Sequence, residues 1–371
     1  MNMKITSIET FSNHHLCFVR VQTDNGGEGY GQTAPFHANI TALVLHQQIA
    51  QYFIGAELHE PSDIGELAER GIIAQYKFPW SYICRAVAGI ETALWDLFGK
   101  LAGQPVYELL GGTYRPIAVY GSSMSRSISP HDEGVRMKKL QEEQGFRAFK
   151  FRIGDGFGKN ADVFSGRTEQ IVSSVRKAVD PDTYLCVDAN SAFTPEKAIE
   201  VGRMLESFGV LHYEEPCPFN ELDWTKQVSD TLSIQVTGGE QDNDMAQWRR
   251  MIDIRAVDTV QPDVCYIGGI NRAIKVADMA HKAGLICTPH AANQTMIQIF
   301  TAHLLMAIPN AGPFMEFSIE NSSEKSSHHL FTEPFQVVDG TLHVPTGPGW
   351  GLTIRPEWLS KSEYAISKTT S

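Results

Sequence analysis

The sequence predicts an α/β protein built on a parallel (β/α) barrel, and three observations lead there. After Arg115, short apolar runs alternate with helical stretches: IAVYGSS (117–123), RAFKFRIG (147–154), YLCVDAN (184–190), VLHYEEP (210–216), IQVTGGE (234–240), AVDTVQPD (256–263), GLICTPH (284–290) and GPFMEFS (312–318). Eight such units in one domain indicate a barrel. Nearly every run carries a polar residue where the C-terminal mouth belongs, the face on which such barrels place their active sites. The runner-up, a doubly wound sheet, is disfavoured because no glycine-rich turn of the dinucleotide type follows an early run.

Residues 1–31 alternate as strands, ITSIETF and LCFVRVQTDNGGEGYGQ, with a hairpin turn at Asp24-Asn25-Gly26-Gly27. From Ile40 to about Leu110 the period becomes helical. It is clearest in CRAVAGIETALWDLFGKLAG, where Val87, Ile90, Ala93, Leu94, Leu97 and Leu101 mark one apolar stripe. The tail from about 330 returns to strands and turns and is too short to fold alone. The expected division is an α+β unit over 1–115, a barrel over 116–329, and a tail, 330–371, packed back on the first unit.

A formal charge of −12 with no basic block argues against a nucleic-acid surface. Six cysteines without a C-x-x-C pair read as reduced core residues of a cytosolic protein. No run of eighteen apolar residues occurs, so no membrane segment is expected, and the start has no leader pattern. A cytoplasmic enzyme acting on a small molecule fits these bounds.

FKFRIG (149–154) aims two cations, Lys150 and Arg152, at one face of a strand. Asp188, Glu214 and Glu240 follow at intervals of 26 residues, one β/α unit each, and so stand on three adjacent strands. Three converging carboxylates repel one another unless a cation lies between them. An all-oxygen set with open positions suits Mg²⁺. The plainer reading of any one such acid is a salt bridge at the barrel rim; three in register favour the metal. Asp263 and His290 come one unit later each, and a carboxylate beside an imidazole makes a general acid/base. A lone histidine there would more often be structural. Glu316 ends the set.

In the ordered motifs GIETALWDLFGK with GQPVYELLGG, FKFR, VDAN, EEP, GGE, QPD with IGG, and TPHA, the chain resembles the mandelate racemase subgroup of the enolase superfamily over nearly its full length. The resemblance implies a (β/α)₇β modified TIM barrel with an α+β capping domain. It also implies abstraction of the proton α to a carboxylate, with Mg²⁺ stabilising the enediolate. By matching position Asp188, Glu214 and Glu240 would hold the metal, and Asp263 with His290 would form a dyad on one face of the substrate. Lys150 and Arg152 would lie on the other face, with Glu316 near the substrate. The family points to a homo-oligomer, a dimer or octamer.

One departure bears on the reaction. The family pattern at FKFR is usually Lys-x-Lys; here the second cation is Arg152, which keeps its proton and accepts one poorly. Racemases need a base on each face, whereas a dehydratase manages with one. The expected function is therefore dehydration of a sugar acid, an aldonate or aldarate, to a 2-keto-3-deoxy acid. Racemisation or epimerisation is the alternative, cycloisomerisation of a muconate-type acid comes third, and a non-catalytic binding protein is the remote reading. Specificity is expected from the loops SNHHL (12–16), TAPFHAN (33–39) and IGDGFGKNADVFSG (153–166), with His14, His37 and Asn190 as substrate candidates. NSSEKSSHHL (321–330) reads as a surface loop.

Overall fold

A computed structural model describes residues 2–320 and 326–369. The opening strands β1 (Met3–Ser12), β2 (Cys17–Thr23) and β3 (Glu28–Gln32) form an antiparallel meander, to which β4 (Glu57–Leu58) adds a short edge beside β1. At the hairpin between β2 and β3, Gly26 takes a left-handed φ of 81° and Asn25 Oδ1 accepts from the Gly27 N–H and the Thr23 hydroxyl.

The meander lies on the long helix Trp80–Ala102, and the sequence EGYGQ shows why it can. A Cβ at Gly29 would stand 2.1 Å from the Ala93 carbonyl oxygen, and one at Gly31 would stand 2.4 Å from the Ala93 nitrogen. Only glycine lets the strand backbone rest on the helix backbone. The helix stops at Gly103, φ 68°.

The barrel follows as eight parallel strands: β5 (Ile117–Ser122), β6 (Ala148–Arg152), β7 (Tyr184–Asp188), β8 (His212–Glu214), β9 (Gln235–Gly238), β10 (Thr259–Val260), β11 (Ile286–Cys287) and β12 (Met315–Ser318). They pair in chain order from β5 to β11, and β12 returns to β5. A bridge from Cys287 to Ala311 completes the circuit. Register sets the site. Arg152 pairs with Asp188 and Asp188 with Glu214, so three chemical side chains sit side by side on neighbouring strands. All six cysteines are buried and free.

The tail divides between the two sheets. β15 (Glu363–Lys368) runs antiparallel to β1, while the hairpin of β13 (Val337–Val338) and β14 (Thr341–Leu342) pairs with β5 of the barrel. Of the expected surface loop 321–330, residues 321–325 lie outside the described residues, and Ser327–Leu330 forms a helical turn.

Buried polar contacts lock the opening unit to the barrel. Both oxygens of Glu91, on the long helix, accept from the backbone N–H groups of Ile270 and Asn271 and from the Asn271 amide. They thereby cap the helix Ile270–Lys282. Gln32, at the end of β3, donates to the Thr295 hydroxyl and accepts from the Met296 N–H. These contacts hold the meander over the mouth of the barrel.

Candidate active site

At the end of β6, Lys150 is fully buried, and burial alone would strip its proton. Its ammonium lies 2.7 and 2.8 Å from the two Glu214 oxygens and 2.9 Å from Glu316. Burial opposes the charge, but those carboxylates outweigh it and hold the Lys150 pKa well above the usual lysine value. In turn Lys150 draws Glu214 and Glu316 below the carboxylate range against their own burial. Glu316 also accepts from the Ser122 hydroxyl at 2.7 Å and the Ala291 N–H at 3.0 Å.

Arg152 lies two residues on, on the same face. It donates to Asn190 Oδ1, approaches Asp188 at 3.8 Å and touches the Met124 sulfur at 3.4 Å. Burial works against its charge and is overcome by Asp188 and Glu240. Asn190 also holds both oxygens of Asp188, through its backbone N–H and its amide. Asn190 and Ser191 take left-handed φ values of 44° and 64°, so the VDAN turn aims side chains back at the strand end.

His290 stands beyond β11 with Nδ1 2.7 Å from Asp263 Oδ2, Nε2 3.3 Å from Glu240 and 3.8 Å from Glu316. Asp263 is not a strand residue. It caps the helical turn Val264–Ile267, and its other oxygen accepts from the N–H groups of Cys265 and Tyr266. That fixes the carboxylate, which fixes the imidazole tautomer with Nε2 turned to the pocket. Burial lowers the His290 pKa, but Glu240, Glu316 and Asp263 together raise it to about 10.

Asp188, Glu214 and Glu240 are all buried at neighbouring strand ends. Burial and then each other's charge lift Asp188 above the usual range and Glu240 to about 7. A fourth acid, Glu215, is buried among them with a left-handed φ of 41°, and its pKa is raised well above the usual value by burial and by Glu240. Among the described residues no three acidic, histidine or cysteine side chains are gathered into a coordinating group. Glu214 is turned onto Lys150 and Gln261, and Glu240 onto His290. The donor chemistry nonetheless fits Mg²⁺: hard oxygen ligands, buried, in excess of local cations, and destabilised by a repulsion that a divalent ion relieves.

Some of these side chains open onto a cavity of about 390 Å³, within the roughly 300–1,000 Å³ usual for small-molecule sites. Arg152, Glu240 and His290 line it from the barrel, and Phe36 lines it from the opening unit. His14 and His37 do not line it. Their rings meet edge-on at 4.9 Å beside Phe36, and His37 caps the helix Ala38–Val44. The loop 153–166 is pinned to the VDAN turn by Gly158 and Asn160 N–H donors and stays outside the cavity. Gln261, Tyr266 and Glu215 join the site without having been expected there. The doubled acid of EEP is a visible signal for Glu215, and the QPD motif is one for Gln261; nothing in the sequence marks Tyr266.

Comparison with known proteins identifies the family. Residues 2–111 match the mandelate racemase / muconate lactonizing enzyme N-terminal domain, and residues 134–358 match the enolase C-terminal domain-like family. The arabinonate dehydratase of Saccharolobus solfataricus is 29% identical over 90% of this chain and 87% of its own. A crystal structure described as a putative racemase from Roseobacter denitrificans is 49% identical, with a TM-score of 0.95 over 99% of this chain and 100% of that one. A mandelate racemase/muconate lactonizing protein from Paracoccus denitrificans, complexed with magnesium, is 28% identical, with a TM-score of 0.89 over 99% of this chain and 98% of that one.

Proposed function

We propose, from the premise that the chain belongs to the mandelate racemase / muconate lactonizing enzyme family of the enolase superfamily, that it dehydrates a sugar acid to a 2-keto-3-deoxy acid. The observation that carries this reading is the asymmetry of the pocket. His290 presents an imidazole oriented by Asp263, whereas strand β6 offers only cations, Arg152 in the cavity wall and Lys150 buried against Glu214 and Glu316, both held above their ordinary pKa values.

Asp188, Glu214 and Glu240 would hold Mg²⁺, which supplies Lewis-acid charge at the substrate carboxylate and offsets the negative charge around His290. His290 Nε2 then takes the α-proton; Asp263 keeps the other nitrogen protonated and steadies the imidazolium. Lys150 and Arg152 stabilise the charge that develops on the carboxylate oxygens. As the C3–O bond breaks, the imidazolium returns its proton to the departing hydroxyl. Water leaves, and the enol tautomerises to the 2-keto acid. Burial keeps bulk water from quenching the carbanion.

The same reading makes 1–115 with 330–371 the cap and 116–329 the catalytic barrel. It includes assembly as a homo-oligomer, a dimer or octamer, and a cytoplasmic location. No described helix is long and apolar enough to cross a membrane. Racemisation or epimerisation is the second reading, favoured by the description of the Roseobacter structure. It requires a base opposite His290, where this chain has two groups that hold their protons. Replacement of the base tests the dehydratase reading. His290→Asn is expected to lower dehydration by about three orders of magnitude or more while the folded state persists; full dehydration by that variant would sink the assignment.

A further inference from the structure

The cavity lining mixes two kinds of group. Beside the ionic Arg152, Glu240 and His290 it carries Phe36, Met124, Tyr266 and Ala292. Its uncharged polar groups Asn293, Gln294 and Ser318 are suited to hydroxyls. From this composition we infer that the site takes sugar monocarboxylates and discriminates against dicarboxylates of the same configuration, a selectivity that deepens the dehydratase reading and rests on it for the position of the reacting carboxylate.

Charge decides the matter. Apart from His290, Arg152 is the one cationic residue lining the cavity among the described residues, and it is engaged by Asn190 and Asp188. The other charged lining residue near Met124 is an acid. Glu320 Oε1 accepts from the Met124 N–H at 2.8 Å, and Oε2 lies 3.4 Å from Arg136.

Cations close by are turned elsewhere. Arg85 stacks on the Tyr266 ring at 4.0 Å and does not line the cavity. Arg126 donates to the Gly154 carbonyl and to Asn190, and Arg136 is shared among Glu133, Ser123 and Glu320. A second carboxylate on the substrate would therefore leave water for apolar walls and the Glu320 carboxylate, with no uncommitted cation among the described lining residues to receive it. A terminal hydroxymethyl group meets no such penalty.

The test reads binding, so it does not depend on turnover. Mg²⁺-loaded His290→Asn protein is titrated calorimetrically with gluconate against glucarate and galactonate against galactarate. The monocarboxylate of at least one pair is expected to bind about tenfold more tightly or better, and neither diacid to bind more tightly than its partner. Phe36→Arg, which adds a guanidinium at an exposed position in the cavity wall, is expected to close most of that gap by strengthening diacid binding. Diacids bound as tightly as monoacids, no binding by either class, or a gap unmoved by Phe36→Arg would each overturn the inference. Failure of the native enzyme to dehydrate a monoacid that binds would instead count against the dehydratase reading alone.

Discussion

At the scale of single residues, the site is a set of buried charges that stabilise one another only together. Lys150 answers Glu214 and Glu316 at once, so its loss strands two carboxylates in the barrel. Lys150→Met is expected to cost roughly 3–5 kcal/mol of stability, the usual size for breaking a buried pair. It should also lower kcat by about two to three orders of magnitude, as for removal of one stabilising donor. Denaturant unfolding and steady-state kinetics on the same preparation check both. Lys150, Asp188, Glu214 and Glu240 were legible in the sequence because each lies in or just after an apolar run and the three acids repeat at a fixed interval. The loop 33–39 is legible as a lining candidate through Phe36 and His37, but which of the two faces the cavity is decided by backbone folding. Here Phe36 and His37 both adopt left-handed φ, which turns the first toward the pocket and makes the second a helix cap.

Elements explain why the charges converge. Parallel pairing in register delivers Arg152, Asp188 and Glu214 abreast, whereas Asp263 and His290 come from loops after strands of only two residues. The apolar run and its terminal polar residue are visible in sequence, but not where the ladder stops. Ladder length depends on the neighbouring strand, whose pairing is not local. Docking of the opening unit rests on Glu91, four residues before Trp95, whose indole N–H it also accepts. Glu91→Ala leaves buried N–H groups of Ile270 and Asn271 without a partner. It is expected to lower stability by about 2–3 kcal/mol, seen as a lower urea midpoint, and Glu91→Gln should recover part of the loss by accepting one of those bonds.

For the whole molecule, the opening unit lies over the mouth while the barrel supplies the charges beneath it, and stability should depend on pH through a histidine outside that set of charges. His303, on the helix Met296–Ala307, is buried, accepts from the Tyr107 N–H at 3.1 Å and packs on Trp350. Burial lowers its pKa from 6.5 to about 3. The unfolded chain therefore takes up a proton that the folded protein refuses. The stabilisation is fully present above about 6.5 and is lost as pH falls toward 3, by up to about 1.4 kcal/mol per pH unit. A urea midpoint that drops between pH 7 and 5 in the native protein, and drops less in His303→Asn, is the expected result; equal slopes would assign the acid sensitivity elsewhere.

The central claim is elimination of water by a single base, and proton NMR in D₂O tests it most directly. Mg²⁺-loaded protein is mixed with a panel of aldonic acids, beside a chelated control. The account predicts metal-dependent appearance of a 2-keto-3-deoxy product from at least one acid. Exchange or inversion at the α-carbon with the hydroxyl retained would contradict it, because a second base would then be at work on the face of Lys150 and Arg152.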